Sequence, residues 1–237
     1  MIHPNPMISA FIGIPEWAWK NHLRRWLAFS SLVPDAIQDY SPLKGYEMYR
    51  QLQPGDVVVD AGAFPGDYAL FAARQVGPEG FVWAFEPDEN NRRVLERNLQ
   101  KSGIQNVEIV PQGLWKEETT LSLDAQGLAS RIERQGSKRI EVTTLDQFLQ
   151  ERGLEKIDVL KMDIEGAELE ALEGAKHALT RITYACIASY HLVEGTPTSA
   201  RVEQLLKAAG LDSHTAYPKH MTTYGWRVEE GFPSVTD

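Results

Sequence analysis

The chain has 237 residues and a formal net charge of −9, from 24 Lys and Arg against 33 Asp and Glu. At roughly 150 residues per domain, one enlarged domain fits better than two, and a chain this long can bury a core without metal or disulfide support. The acidic balance speaks against a nucleic-acid coat, which needs a basic face. The single cysteine, Cys186, excludes an intrachain disulfide framework and fits a reducing, cytoplasmic setting. There is no run of about 18 apolar residues, which predicts no transmembrane helix. The N-terminus has prolines and no basic region ahead of an apolar core, so it makes a poor signal peptide.

Residues 1–53 read as an N-terminal helical extension. Pro15 suits a helix start and Pro34 an end, and Trp17, Trp19 and Trp26 lie among Lys20, Arg24 and Arg25. This stretch suits a lid, a packed helix or a homodimer contact better than a membrane-surface helix. A second helix is expected over Tyr46–Leu52, stopped by the turn at Gln53-Pro54-Gly55. From residue 54 onward strands and helices alternate. Strands are expected at 57–63, 81–87 and 106–114. The helix after Asp67 runs to about Gln75, and the next is capped by Asp88 and stopped by Gly103. The segment 116–139 reads as loop, edge structure and a candidate hairpin. A helix over 144–152, capped by Thr143 or Thr144, precedes a strand at 156–166 and a helix to about His177. A strand at 183–191, a helix at 198–209 and closing strands at 211–217 and 221–228 complete the chain. Near-continuous apolar strands linked by helices predict an α/β doubly wound, mostly parallel sheet, with ligands at the C-terminal strand ends.

The first strand ends in Asp60-Ala61-Gly62-Ala63-Phe64-Pro65-Gly66, where Gly62 and Gly66 permit a tight turn. Glu86 ends the second strand 24 residues after Gly62, close to the spacing at which a carboxylate grips ribose hydroxyls. The dinucleotide fingerprint G-x-G-x-x-G is absent, which argues against an NAD-dependent oxidoreductase. Asp60 beside the turn would repel a diphosphate. It would attract an ammonium, directly or through surrounding hydrogen bonds. A ligand with both a ribose and an ammonium is S-adenosyl-L-methionine, whose sulfonium also favours an acidic cleft.

These residues, with AFEPDENNRRVLERNL, NVEIVPQGL, TTLDQFL and IDVLKMDIEGAELEALEGA, resemble the FkbM family of class I methyltransferases. The most specific piece is Asp163, Glu165, Gly166 and Glu168 after a Leu-Lys strand. One departure is Phe64, where many members carry asparagine. The resemblance implies a seven-stranded, Rossmann-like sheet with a final antiparallel strand over residues 54–237. It also implies S-adenosylmethionine as methyl donor and S-adenosylhomocysteine as product. Cofactor contacts are then expected from Asp60, Gly62, Ala63, Phe64, Gly66, Glu86 and Pro87, with Gln112 and Gly113 near the adenine.

Lys161, Asp163 and Glu165 share one parity of the fourth long strand and make one face polar where it meets the cleft. Buried unpaired they would be costly, so Lys161 and Asp163 should pair with each other, with Asp60 or with a ligand. Glu165 and Glu168 also suit the positive end of the following helix. His191, at the end of the fifth strand, is the candidate general base, because an ordinary imidazole titrates near 6.5; His220 is a second candidate. Asp163 would orient His191 or bind the acceptor hydroxyl. Asp163 with Glu165 or His191 is also a candidate Mg²⁺ set. The expected function is O-methylation of a hydroxyl on a sugar, glycan or natural product, by His191, Asp163 and Lys161. The competing reading is a sensing domain that binds the nucleotide without chemistry.

Overall fold

The computed structural model describes residues 42–123, 138–193, 195–216 and 221–228. The chain divides into two compact units, Met1–Lys44 and Gly45–Asp237. Residues 45–53 therefore belong with the sheet, although the sequence groups them with the extension. The expected helix between Pro15 and Pro34 with its tryptophans, the centre of 116–139 and His220 lie outside the described residues.

Strand β1 (Val57–Ala61) leads into α1 (Asp67–Val76), β2 (Phe81–Phe85), α2 (Glu89–Ser102) and β3 (Val107–Val110). A small second sheet follows, made of β4 (Gly113–Leu114), β5 (Thr119–Leu123) and β6 (Lys138–Thr143). Then come α3 (Leu145–Arg152), β7 (Ile157–Met162), α4 (Glu168–Glu173) and β8 (Ile182–Ala188). A short ribbon, β9 (Leu192–Val193) with β10 (Thr196–Pro197), precedes α5 (Ser199–Ala208), β11 (Asp212–Ala216) and β12 (Thr222–Trp226). The main sheet has seven strands in the order β11-β12-β8-β7-β1-β2-β3. β12 alone runs antiparallel to its neighbours β8 and β11, as the resemblance implies.

Local chemistry explains most of the boundaries. Asp88 accepts hydrogen bonds from the amides of Asn90 and Asn91 and caps α2, which ends at the left-handed Gly103. Thr144 accepts from the Gln147 amide and caps α3. β8 is buried along its whole length, as a strand covered on both faces should be.

Three expectations change. The expected 106–114 strand is two strands, because Pro111 lacks the amide needed to continue pairing, and the chain leaves β3 to enter the small sheet as β4. The helix expected to reach His177 stops at Glu173. A side chain at Gly174 would meet the Trp115 carbonyl oxygen at 2.1 Å, so the chain packs too closely there for anything but glycine. The helix expected over Tyr46–Leu52 is replaced by a 3-10 helix, Pro42–Glu47, and irregular chain. The carbonyls of Gly45 and Tyr46 accept the hydroxyls of Tyr224 and Tyr184, at 2.5 and 3.0 Å, so tertiary bonds replace the turns a helix would make. Within and beyond the 116–139 segment that the sequence reads as loop, edge structure and a candidate hairpin, β5 pairs antiparallel with β6.

Strand order reverses between β1 and β7, since β2 and β3 continue on one side and β8 on the other. In open α/β sheets the crevice lies at the carboxyl ends of such a pair.

Candidate active site

The crevice is framed by Gly62 after β1, Glu86 and Pro87 after β2, and Asp163 to Glu165 after β7. Gly62 has φ +80°, and a Cβ there would lie 2.0 Å from the Asp163 carbonyl oxygen. Only glycine therefore lets the first turn close against the β7 end. The Gly62 and Ala63 amides both donate to the Phe85 carbonyl and tie this turn to β2. Gly66, at φ +107°, opens α1, and a Cβ there would press on Leu95 of α2.

Glu86 is only 5% exposed yet lines the crevice. One of its oxygens, Oε1, accepts the Asp88 amide at 2.9 Å and the Asn91 side chain at 3.4 Å. Burial raises its carboxyl above the ordinary value against the pull of these donors. The same crevice is lined by an apolar wall of Leu114, Ile140 and Val142, contributed by the small sheet. Gly113 keeps this wall close, since a Cβ there would reach Val142 at 3.2 Å. Lys138 at the start of β6 is ion-paired to Asp88 at 2.5 Å and fastens the small sheet to the β2 end. Nothing in the local pattern of Ile140 and Val142 marks them as site residues, because the small sheet brings them there.

Asp60 and Lys161 face each other across β1 and β7 in register. Lys161 Nζ lies 2.8 Å from Asp60 Oδ1 and donates to the Gly62 carbonyl at 2.8 Å and the Ala61 carbonyl at 3.3 Å. Both side chains are buried. Burial raises the Asp60 carboxyl above its ordinary value against the attraction of Lys161. Burial would lower Lys161, but the charges of Asp60 and its neighbours outweigh that and keep it protonated. Of the partners open to Lys161 in the sequence, the structure selects Asp60 and the turn carbonyls. Asp60 is not among the residues lining the crevice, and the ammonium of Lys161 meets three acceptors, one of them the Asp60 partner that the sequence offered.

Asp163 lines the crevice and accepts the Tyr190 hydroxyl on Oδ1 at 3.2 Å and the Tyr46 hydroxyl on Oδ2 at 3.5 Å. Glu168 is fully buried. Its Oε1 accepts the amides of Ile164 and Gly166 and lies 3.1 Å from His191 Nδ1. Glu168 thus braces the 164–166 loop, in which Glu165 takes a left-handed φ of 59°. His191 Nε2 lies 3.5 Å from Glu165 Oε2. Burial alone would lower the imidazole, but the Glu165 and Glu168 carboxylates beside its ring nitrogens, with the charge of Asp163, outweigh it, and its pKa rises from 6.5 to about 10. The raised value favours the imidazolium at neutral pH, where the sequence expectation took an ordinary imidazole. Asp163, Glu165 and His191 also offer ligand atoms within 4.8 Å of one another.

The elevated imidazole value carries a prediction. Its contribution to stability is present in full below about pH 6.5 and is lost as pH rises toward about 10. The gap in melting temperature between the wild type and His191→Ala is expected to narrow steadily over that range. A gap that stays constant from pH 6 to pH 10 would show that the imidazole is not held charged.

The Methyltransferase FkbM domain family matches residues 60–212, a span that takes in both β1 and β7 ends, the small sheet and the histidine loop. The chain belongs to the FkbM methyltransferase family. This FkbM chain is 25% identical over 146 residues to the hexuronic acid methyltransferase AglP of Haloferax volcanii, covering 59% of this chain and 58% of AglP. It is 24% identical over 183 residues to the 2-O-methyltransferase NoeI of Sinorhizobium fredii, covering 65% of this chain and 74% of NoeI. Against AglP and two other curated relatives the chain spans less than three fifths of their length. The crystal structure of Methyltransferase FkbM from Methylobacillus flagellatus shares 19% identity with this FkbM chain. It superposes with a TM-score of 0.58, over 74% of this chain and 44% of that one. The shared architecture is the class I, S-adenosylmethionine-binding methyltransferase fold, as expected from the strand order.

Of the expected site residues, the crevice brings together Gly62, Phe64, Glu86, Pro87, Gly113 and Asp163. Asp60, Ala63, Gly66, Gln112, Lys161 and His191 are not among its lining residues. The sequence reading missed the apolar wall of the small sheet, Asn91, and the two tyrosines on Asp163.

Proposed function

We propose that this chain transfers a methyl group from S-adenosylmethionine to a hydroxyl of a small acceptor, a sugar, glycan or natural product. The observation that carries the reading is Glu86, a buried carboxylate at the β2 end that lines the crevice together with the apolar Leu114, Ile140 and Val142. A carboxylate acceptor beside an apolar wall suits a ribose diol next to an aromatic base. When bound, the donor supplies an electrophilic methyl on a sulfonium whose charge disappears on transfer, so no acid is needed at the leaving group. The names of AglP and NoeI support an oxygen of a sugar as the methylated atom.

Asp163 is the residue we assign to receive the acceptor proton. It lines the crevice, and in its carboxylate form it has lone pairs to spare beside two phenolic donors. His191, charged and held by Glu168, shapes the loop that carries Asp163 and Glu165. The buried Asp60–Lys161 pair fixes the turn that the methionine portion of the donor would follow. The buried thiol of Cys186, pushed upward by burial, suits the reducing cytoplasm the sequence suggests.

Titration calorimetry with S-adenosylhomocysteine tests the cofactor assignment. Binding is expected in the wild type, and Glu86→Ala is expected to weaken it about ten- to a hundredfold through loss of hydrogen bonds to a charged group. No heat in the wild type, or equal affinity in the variant, would remove the assignment. A second reading follows from the 4.8 Å cluster, in which Asp163, Glu165 and His191 would hold Mg²⁺ and acidify the acceptor. Against it, both His191 nitrogens face carboxylates. EDTA is expected to leave turnover unchanged; a loss that Mg²⁺ restores would establish the metal reading instead.

A further inference from the structure

Residues 45–49 lie across the half of the sheet away from the crevice's Glu86 side. The Tyr224 hydroxyl on β12 donates to the Gly45 carbonyl at 2.5 Å, and the Tyr184 hydroxyl on β8 donates to the Tyr46 carbonyl at 3.0 Å. Tyr49 packs on Tyr224 and Trp226 with ring centroids 5.1 and 5.0 Å apart. These are strong anchors, because buried phenols need partners and the carbonyls at the end of a short 3-10 helix need donors. The segment is thus buttoned to the sheet at two successive carbonyls, the second of them that of Tyr46.

The ring of Tyr46 is aimed by three contacts. It stands edge-on to Tyr68 at 5.3 Å, and its face lies 5.8 Å from the Lys161 ammonium, within the range of a cation–π contact. Its hydroxyl reaches Asp163 Oδ2 at 3.5 Å, while Tyr190 holds the other oxygen. The 3.5 Å distance is long for a hydrogen bond, and such contacts commonly tighten when substrate is bound. Burial raises the Tyr46 phenol, so it stays neutral and acts as a donor.

We propose that Tyr46 is a positioning residue for methyl transfer: fastened by Tyr184 and Tyr224, its hydroxyl fixes the Asp163 carboxylate so that one lone pair stays turned toward the acceptor. The proposal rests on Asp163 being the proton acceptor. It assigns a role to a residue that lies outside the family match at 60–212.

The test uses the full chain. Release of S-adenosylhomocysteine is measured with a panel of monosaccharide and glycoside acceptors, alongside melting temperature and calorimetry with S-adenosylhomocysteine. Tyr46→Phe is expected to lower kcat about tenfold. KM for the donor, S-adenosylhomocysteine affinity and melting temperature should stay close to wild type. Tyr184→Phe should also lower kcat, but should add less than twofold when combined with Tyr46→Phe, since both act through one hydroxyl. Tyr224→Phe provides the same comparison should Tyr184→Phe fold poorly. Wild-type kcat in Tyr46→Phe would overturn the proposal, as would a parallel loss of S-adenosylhomocysteine affinity or multiplicative losses in the double variant. A wild-type chain that binds S-adenosylhomocysteine but turns over no acceptor would overturn the methyl-transfer reading itself, and the positioning role with it.

Discussion

Replacing Lys161 by methionine is expected to cost about 3–5 kcal/mol, the largest stability loss of any single substitution near the crevice. The variant leaves the Asp60 carboxylate with no counter-charge at 0% exposure, and it strips the Ala61 and Gly62 carbonyls of a donor. Methionine nearly matches the length of lysine, so the loss reports charge and hydrogen bonding more than a cavity. For a chain of this size that is a drop of about 6–20 °C in melting temperature. The partner variant decides the cause. Asp60→Asn combined with Lys161→Met removes both charges and should recover much of the loss, because an uncharged buried pair no longer needs compensation. If the double variant is less stable than Lys161→Met alone, the carbonyl contacts and not the ion pair govern this turn. Chemical denaturation of the three variants separates the cases.

The largest effect on activity is expected at Asp163. Asp163→Asn preserves shape, and its one carbonyl oxygen can still accept one of the two tyrosine hydroxyls while the amide NH2 meets the other as a donor, but it cannot take a proton at neutral pH. Turnover should fall about 10²- to 10⁴-fold, the usual contribution of a general base. Affinity for S-adenosylhomocysteine should remain within about twofold, since Glu86 and the turn are untouched. His191→Ala serves as the comparison. It should lower turnover less than Asp163→Asn, because His191 holds the loop and does not receive the proton. The reverse order, with His191→Ala nearly inactive and Asp163→Asn active, would return the base role to the histidine. It would also show that a bound substrate neutralises the imidazolium.

The two residues show where sequence reasoning works and where it stops. The parity of Lys161, Asp163 and Glu165 predicted a polar face at the end of a buried strand; the register of β7 against β1 sets Lys161 opposite Asp60, while Asp163 and Glu165 lie beyond the strand's end. What each of them touches was not legible. Lys161 and Asp163 share a face, yet Lys161 turns inward to Asp60 while Asp163 fronts the crevice. The sequence assigned His191 an ordinary imidazole. Three carboxylates from the 163–168 stretch, brought against it by folding, raise its pKa to about 10. A titration shift is set by distance and burial, and neither is visible in a one-dimensional pattern.

By itself the sequence determined the alternation of apolar strands and capped helices, the glycine turn after β1 and the acidic residue after β2. These depend on local rules: residue periodicity, capping chemistry and the backbone freedom of glycine. Tertiary structure alone decided the rest. It placed Ile140 and Val142 in the same crevice as Glu86, and it turned an expected helix at 46–52 into a strap whose carbonyls bond to Tyr184 and Tyr224. It also consumed the charge of Asp60 inside the sheet. Each of these joins residues far apart in the chain, with 138 residues separating Tyr46 from Tyr184. Such contacts arise only when packing has already chosen which faces meet, so no local pattern could announce them.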